Sequence, residues 1–386
     1  MTRILYVDEE PAIAGGANCL IALTRHMDRT RFVSLVACPP GPLADAVTSD
    51  GITHIPFPFR LRRLKTGRPG SEGRLVNPLA LLQKVREGFA LARLIRQQQI
   101  EIIHTNSLSP HIAGMVAARL TGIPCIWHVH TFHPSLLYRL ALPDQIIFVS
   151  KALQRAAFGD APPLQAHVIY NGQDFSIFDP TAPHPDLRAE WGPSGEHMLV
   201  GITARLEPWK GHRVLLRAWQ MVATEHPRAR LLIVGDEIVK DSRQPATYRA
   251  ELEQMAHDLG IADSVIFTGF RPDIPAVLHT LDVLVSASTH LETFSLSVLE
   301  GMAMGKAIVA TRVGGVPELT GDGEAALMVE DGDVPGMAAA IERFLTDPAL
   351  RAEYGARAHR RALAEFSVER YVSQIESLYD RVLTQS

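Results

Sequence analysis

The chain of 386 residues has only three cysteines, and their positions indicate neither a metal centre nor a disulfide framework. Cys19, Cys38 and Cys125 are scattered and form no Cys-x-x-Cys motif. No stretch reaches the roughly 18 apolar residues that cross a bilayer. The N-terminal MTRILYVDEE lacks the pattern of a signal peptide. Together these absences favour a reducing compartment, and we expect a cytoplasmic protein.

What is present is the composition of a folded globular protein, with 46% hydrophobic and 21% charged residues. The length predicts two domains. Charge is divided unevenly along the chain. Residues 1–180 carry 18 Lys and Arg against 13 Asp and Glu, and the remainder carries 20 against 29.

The basic excess is concentrated in residues 57–74, which hold six basic residues and one acid. Phe57, Phe59 and two leucines are interleaved with these charges, so the segment is suited to the surface of an anionic membrane. A solvated loop rich in Gly and Pro explains the same composition. Nucleic acid is a third partner for such a patch, but no recognition motif accompanies it.

Short apolar runs alternate with amphipathic segments from the N-terminus onward, which is the pattern of parallel sheets covered by helices. Residues 3–7 (RILYV) predict the first buried strand, and residues 78–98 predict an amphipathic helix that opens at Pro78. The basic side chains of this helix are expected to face solvent or a membrane: Lys84, Arg86, Arg93 and Arg96.

A stretch rich in Pro and Gly at residues 180–196 predicts a boundary between two α/β domains, residues 1–180 and residues 181–367. Farther along, Asp331 and Asp333 form an Asp-x-Asp motif that is compatible with a metal–nucleotide site. Asp333 directly precedes a helical pattern with Pro at its second position, so we interpret it as a helix N-cap instead.

Three histidines lie at the end of one predicted strand, PCIWHV at residues 124–129. Ligands of open parallel sheets bind beyond the carboxyl ends of the strands, where His128, His130 and His133 lie. Three neighbouring histidines are compatible with a metal site, but no carboxylate or cysteine completes the ligand set. We therefore expect no metal here.

The loop that follows a predicted strand at residues 198–203 carries two cations ahead of a helix. Arg205 and Lys210 stand beside the expected helix N-terminus, where side-chain charge and unpaired backbone N–H groups together favour an anion. A surface ion pair explains either cation alone, but is a weaker explanation for both on one loop.

Two glutamates frame the start of another predicted helix. Glu292 and Glu300 have seven residues between them, and the helix is expected to begin near Ser295. A helix N-terminus suits a phosphate, and a carboxylate on each side of it can hold hydroxyl groups of the same ligand. Two solvated surface glutamates give an equal account of the spacing.

Taken together, these segments resemble the retaining glycosyltransferases of the "glycosyltransferases group 1" (family 4) type, which have the GT-B fold. The resemblance covers essentially the whole chain. Its motifs are the Glu292/Glu300 pair, the Phe294-Ser295 step, residues 299–311 (LEGMAMGKAIVAT), the tail Gly314–Glu318 and the Arg205 to Lys210 loop. The chain departs from the family at Ser295 and Ala204, where Gly is usual, and at Ser297, where Val or Pro is usual.

The resemblance implies two Rossmann-like doubly wound parallel-sheet domains that face a cleft, with the last helix (residues 368–386) packing back on the N-terminal domain. It implies a nucleotide-sugar donor, such as a UDP- or GDP-sugar, no cofactor and no metal. Donor-binding residues carried over from the family motifs are Gly15, Gly16, Arg205, Lys210, Gly269, Phe270, Arg271, Glu292, Phe294, Ser295, Leu296 and Glu300.

Catalytic roles carried over in the same way fall on His130, Arg205, Lys210 and Glu292. His130 is expected beside the transferring sugar, the two cations on the leaving diphosphate, Glu292 on the sugar hydroxyls and Glu300 on the ribose. The expected acceptor is a glycan or a lipid-linked molecule at the inner face of the membrane. Two alternatives stay open: a nucleotide-sugar epimerase or hydrolase on the same fold, and a non-catalytic subunit that binds sugar nucleotides.

Overall fold

The chain folds into two compact units, Met1–Gly172 with Val368–Ser386, and Gln173–Ser367. The computed structural model describes residues 1–13, 15–59, 78–132, 143–191, 197–237, 247–290 and 292–385. We call the two parts unit 1 and unit 2.

Unit 1 is built on a seven-stranded sheet in which every pair of neighbouring strands is parallel. The strand order is β3-β2-β1-β4-β5-β6-β7. Its strands are β1 (Thr2–Val7), β2 (Phe32–Cys38), β3 (Thr53–Pro56), β4 (Ile102–Thr105), β5 (Cys125–Val129), β6 (Gln145–Phe148) and β7 (Ala166–Val168). Its first five helices are α1 (Gly15–His26), α2 (Pro42–Ser49), α3 (Pro78–Gln98), α4 (Leu108–Thr121) and α5 (Lys151–Phe158).

Unit 2 repeats this plan with a six-stranded parallel sheet in the order β10-β9-β8-β11-β12-β13. Its strands are β8 (Leu199–Thr203), β9 (Arg230–Val234), β10 (Val265–Gly269), β11 (Val283–Ser286), β12 (Ala307–Thr311) and β13 (Leu327–Val329). Its helices are α6 (Arg188–Trp191), α7 (His212–Glu225), α8 (Thr247–Asp258), α9 (Ile274–Thr280), α10 (Leu296–Ala303), α11 (Val316–Thr320), α12 (Val334–Thr346) and α13 (Pro348–Glu365).

The two sheets confirm the predicted α/β class. Most strand residues are buried because helices cover both faces, so the strands appear in the sequence as continuous apolar runs. Asp333 caps α12 as predicted, since its carboxylate accepts a hydrogen bond from the backbone N–H of Gly336 at 2.9 Å.

The last helix, α14 (Val368–Gln385), belongs to unit 1 although it follows unit 2 in sequence. Its apolar face is buried, and Tyr379 reaches the sheet, where its hydroxyl donates to the hydroxyl of Tyr6 at 3.2 Å. At the surface, Arg31 pairs with Asp380 at 2.7 Å. These contacts tie the C-terminal helix to β1 and to the turn that precedes β2.

Helix α3 has the predicted bounds, but the prediction for one of its basic residues is wrong. Lys84 is fully buried and its ammonium group pairs with Glu87 at 2.8 Å.

The first part of the basic segment, residues 57–74, also differs from the prediction. Phe57 and Phe59 are buried and pack against each other with ring centroids 4.7 Å apart, so neither side chain is available to a membrane. Residues 60–74 of that segment lie outside the described residues. Within the described part of the chain, no helix is long and apolar enough to cross a bilayer.

Candidate active site

In unit 2 the strand order reverses between β8 and β11, which are adjacent in the sheet but far apart in sequence. Ligands of doubly wound sheets bind beyond the carboxyl ends of strands at such a reversal. Arg205 and Lys210 follow β8, and Glu292 follows β11. The topology therefore brings the predicted cations and the first predicted glutamate to one edge of one sheet.

Lys210 and Glu292 are in direct contact at this edge. The ammonium Nζ of Lys210 donates to Oε2 of Glu292 at 2.6 Å, and the same oxygen accepts a hydrogen bond from the hydroxyl of Ser288 at 2.9 Å. The side chains of Lys210 and Glu292 are 16% and 6% exposed, so both charges are largely removed from water. Lys210 also lies 4.1 Å from the ring centroid of Trp209.

Two glycines allow the loops of this site to approach each other closely. Gly211, at φ +76°, precedes α7, and a Cβ there would lie 1.7 Å from the carbonyl oxygen of Ala287. Gly314, at φ +53°, would place a Cβ 1.7 Å from the carbonyl oxygen of Glu292. The N–H of Gly315 donates to that same oxygen at 3.0 Å. The close approach of Gly314 and Gly315 thus fixes the backbone of Glu292. A side chain at position 314 would prevent this approach.

The second cation of the loop is more exposed. The Arg205 guanidinium pairs with Glu207 at 3.1 Å, and its side chain is 45% exposed. Burial, with the nearby Lys210 charge contributing, lowers the pKa of His212 to about 4, so this histidine is neutral at pH 7. Each predicted cation therefore has a carboxylate partner within unit 2.

Helix α10 begins between the two glutamates, as predicted. Ser295 occupies its N-cap position, is buried, and lies 3.2 Å from the hydroxyl of Ser297 rather than capping the helix with its side chain. Leu296 is the first helical residue. Phe294 is buried and packs edge-on against Phe366, with centroids 5.9 Å apart, so its aromatic ring anchors the loop.

Glu300 lies on α10, and its carboxylate has no polar partner among the described residues. Burial raises the pKa of this carboxyl group from 4.5 to about 8. A carboxyl group held in a partly buried place without a partner is suited to exchange hydrogen bonds with a ligand that brings hydroxyl groups.

The raised pKa of Glu300 has a consequence for stability. The unfolded chain loses this proton near pH 4.5 and the folded chain near pH 8, so the group lowers the free energy of unfolding progressively between these values. We expect Glu300→Gln to unfold at a higher temperature than the wild type at pH 8, with the difference shrinking toward pH 4.5. Thermal unfolding across this range measures the effect. A difference that does not vary with pH contradicts the assignment, and Glu253→Gln on the exposed face of α8 is the control.

The predicted base-binding segment lies at the end of β10. The carbonyl oxygen of Gly269 accepts the N–H of Gly235 at 3.0 Å, and Phe270 is 75% exposed. Arg271 is held by ion pairs to Asp273 at 2.6 Å and to Glu190 at 2.9 Å. The guanidinium is therefore committed within unit 2, which leaves the backbone and the exposed Phe270 ring for a ligand.

In unit 1, the predicted residues also gather where the strand order reverses, here between β1 and β4. Gly15 and Gly16 begin helix α1, and a Cβ at Gly16 would lie 3.4 Å from the ring of His130. The Nε2 atom of His130 is 2.8 Å from Oδ1 of Asn106. The structure thus brings Gly16 and His130 together at this edge.

The histidines of this region form no metal site within the described residues, where no three metal-binding side chains cluster. His128 is fully buried, and burial lowers its pKa well below the ordinary value. Its ring lies 4.2 Å from that of His130, centroid to centroid. His133 lies outside the described residues.

Sequence reasoning missed three polar residues of these two edges: Asp8, Asn106 and Ser288. Asp8 and Asn106 directly follow the last residues of β1 and β4, and Ser288 lies two residues beyond β11. Their position immediately after a buried apolar run was the available signal, because the ends of adjacent parallel strands meet at one edge.

Each unit is built on a doubly wound parallel sheet, and the sheet of unit 2 carries a cation–carboxylate site at its strand reversal. This architecture is that of a two-domain α/β protein of the GT-B glycosyltransferase type. Residues 197–347 match the model of the glycosyl transferases group 1, and residues 13–176 match that of glycosyltransferase family 4. The chain belongs to this family of glycosyltransferases.

Two relatives illustrate the range of the family. The 2-deoxystreptamine glucosyltransferase of Streptomyces kanamyceticus is 31% identical over 363 residues, covering 86% of this chain and 88% of that protein. The lipopolysaccharide core biosynthesis mannosyltransferase LpcC of Rhizobium leguminosarum bv. viciae is 29% identical over 348 residues, covering 87% and 93%. Among solved structures, Anabaena Alr3699/HepE in complex with UDP and glucose superposes with a TM-score of 0.80 at 25% identity, covering 98% of this chain and 100% of that one.

Proposed function

We propose that this glycosyltransferase uses a nucleotide-sugar donor, needs no metal, and transfers the sugar with retention of its anomeric configuration. The observation that carries the proposal is the largely buried Lys210–Glu292 pair at the strand reversal of unit 2. The pair stands just ahead of the N-termini of α7 and α10. A cation and a helix N-terminus suit a diphosphate, and a carboxylate suits the hydroxyl groups at the other end of the same ligand.

In the proposed reaction, the bond between the anomeric carbon and the diphosphate oxygen breaks and its electron pair leaves with the nucleoside diphosphate. The acceptor hydroxyl oxygen bonds to the same carbon and its proton is released. Lys210, Arg205 and the α7 N-terminus stabilise the negative charge that develops on the leaving group. Glu292 holds sugar hydroxyls, and Glu300 holds the ribose. No protein nucleophile is assigned, since the proposed substitution takes place on one face of the sugar.

Two similar proteins support a nucleotide-sugar donor, and they differ in the nucleotide base. The HepE structure contains UDP and glucose. A mannosyltransferase from Mycolicibacterium smegmatis, described as GDP-mannose-dependent, is 31% identical over 290 residues. We therefore propose a UDP- or GDP-sugar as the donor, with no further cofactor.

The test is to incubate the full chain with a panel of UDP- and GDP-sugars, with and without a chelator, and to measure released nucleoside diphosphate and the sugar product. We expect release from one donor that is insensitive to chelator and is accelerated by a hydroxyl acceptor. Release as free sugar that no acceptor accelerates supports the hydrolase alternative, and a new nucleotide sugar supports the epimerase. Tight nucleotide binding without any turnover supports the non-catalytic subunit.

We also propose that the acceptor is presented at an anionic membrane surface, and helix α3 supports this. One stripe of the helix exposes Leu79, Leu82 and Phe89, interleaved with Arg86 and Arg93. The helix contains a single acid, Glu87, which is buried against Lys84. An exposed stripe of apolar and basic side chains without acids fits the interface of anionic lipids.

We expect the chain to sediment with vesicles that contain phosphatidylglycerol but not with phosphatidylcholine vesicles, and salt to weaken the association. The double substitution Leu82→Ser with Phe89→Ser should reduce binding, because it removes buried apolar area from the interface. Leu363→Ser, which alters an exposed leucine of unit 2, is the matched control. Equal sedimentation of both variants rules out this surface.

A further inference from the structure

Three polar side chains meet at the carboxyl ends of adjacent strands in unit 1. Asp8 follows β1, Asn106 follows β4 and His130 follows β5. Nδ2 of Asn106 lies 2.8 Å from Oδ2 of Asp8 and 3.0 Å from the carbonyl oxygen of Gly16, while Oδ1 lies 2.8 Å from Nε2 of His130. Asn106 is 4% exposed and Asp8 is 2% exposed.

The orientation of the Asn106 amide follows from what its neighbours can do. The carbonyl oxygen of Gly16 can only accept a hydrogen bond, so the amide NH₂ must face it. Oδ1 of Asp8 already accepts hydrogen bonds from the N–H of Glu10 at 3.0 Å and the hydroxyl of Ser107 at 3.2 Å. Oδ2 of Asp8 is therefore the acceptor for the second amide hydrogen of Asn106. With both amide hydrogens used in this way, the amide oxygen faces His130 and can only accept.

We propose that Asn106 is a positioning residue for glycosyl transfer, which holds His130 in the tautomer protonated on Nε2 and fixes its ring beside Gly16. The inference rests on the proposed function, together with the place beside the reacting sugar that the family resemblance implies for His130. A neutral imidazole protonated on Nε2 has its acceptor lone pair on Nδ1.

The layer behind His130 supports a single ring orientation. His128 packs against the His130 ring and is fully buried, and His104 lies beyond it, with Nε2 3.3 Å from Nδ1 of His128. Burial lowers the pKa of His104 to about 3, and that of His128 well below its usual value, so both rings are neutral. Tyr379 of α14 closes this row, with its hydroxyl 2.6 Å from Nδ1 of His104.

The experiment combines ring ¹⁵N NMR of the full chain, labelled on histidine, with donor turnover. His130 signals are assigned from their loss in His130→Gln. Wild-type protein is expected to show a protonated Nε2 and an unprotonated Nδ1. Asn106→Leu, which is similar in shape but cannot accept, is expected to lose this preference and to lower kcat by about 10²-fold through misplacement of the ring, with a smaller change in KM.

Ile95→Ala is the control for a purely structural role. It removes a buried apolar side chain near the C-terminus of α3, before β4, and leaves the Asn106–His130 contact and the row behind it in place, so it should lower the unfolding temperature without changing the His130 tautomer. The proposal is overturned by a wild-type His130 protonated on Nδ1, or by an Asn106→Leu protein whose tautomer and kcat are unchanged. The NMR arm needs no donor, so failure of the proposed function, seen as no wild-type turnover, is separate from failure of this inference.

Discussion

Replacing Lys210 by alanine is expected to lower kcat for nucleoside diphosphate release by about 30- to 1,000-fold. The range corresponds to about 2–4 kcal/mol for the loss of one charge-stabilising contact in a largely buried site. The ammonium group is only partly exposed and stands ahead of the α7 N-terminus, so water cannot fully replace it. Because the charge it stabilises develops as the donor bond breaks, the loss should appear mainly in kcat.

Two variants sharpen this measurement. Lys210→Arg keeps the positive charge with a different geometry, and should retain more turnover than Lys210→Ala. Arg213→Ala removes an exposed cation of α7 that pairs with Glu251, and should leave turnover near the wild-type rate. Near-normal turnover in Lys210→Ala would refute its assignment to the leaving group.

Glu292→Gln is expected to lower kcat by a similar factor, although glutamine has nearly the same shape. The carboxylate accepts from both Lys210 and Ser288 through one oxygen, and is proposed to hold sugar hydroxyls. The amide removes the negative charge and can present an NH₂ group to Lys210, which is itself a donor. The backbone contact with Gly315 does not involve the side chain, so the loop should keep its course.

The double variant Lys210→Ala with Glu292→Gln separates this account from two independent effects. Residues that act as one unit give losses that do not add, so the double variant should lose clearly less than the product of the two single losses. Strict additivity in the cycle would show that the 2.6 Å contact has no part in catalysis. Glu253→Gln on α8 controls for the removal of an exposed carboxylate.

Much of this site could be predicted from sequence because its motifs are local. The βα loop that carries Arg205 and Lys210, and the loop-to-helix segment that carries Glu292 and Glu300, each lie within one short stretch. The contact between Lys210 and Glu292 could not be predicted from either stretch. It depends on the pairing of β8 with β11, which lie about 80 residues apart.

The error at Lys84 has an identifiable physical cause. The charge pattern of α3 suggested that all its basic residues face outward, but the pattern does not show which face a neighbouring helix covers. Gly88, one turn after Lys84, packs so closely on α4 that a Cβ there would lie 2.6 Å from the side chain of Val116. The small residue marks the covered face, and Glu87 supplies the charge that a buried lysine needs.

Asn106 shows the opposite limit. Its position after a buried apolar run is the one local signal, and it does not identify the partners of Asn106, because Asp8, Gly16 and His130 lie on three other segments. Only the order of the parallel strands, β1 beside β4 beside β5, brings these residues to one edge.

The most direct test of the central claim is thermal unfolding of the full chain with nucleoside diphosphates and their sugars, with and without a chelator. A ligand that binds only the folded protein stabilises it by about 2.7 kcal/mol at a hundredfold excess over Kd. We predict stabilisation by one base class, unaffected by chelator and strongly reduced in Lys210→Ala. No stabilisation by any nucleotide, or an equal effect in Lys210→Ala, would contradict a diphosphate site at Lys210.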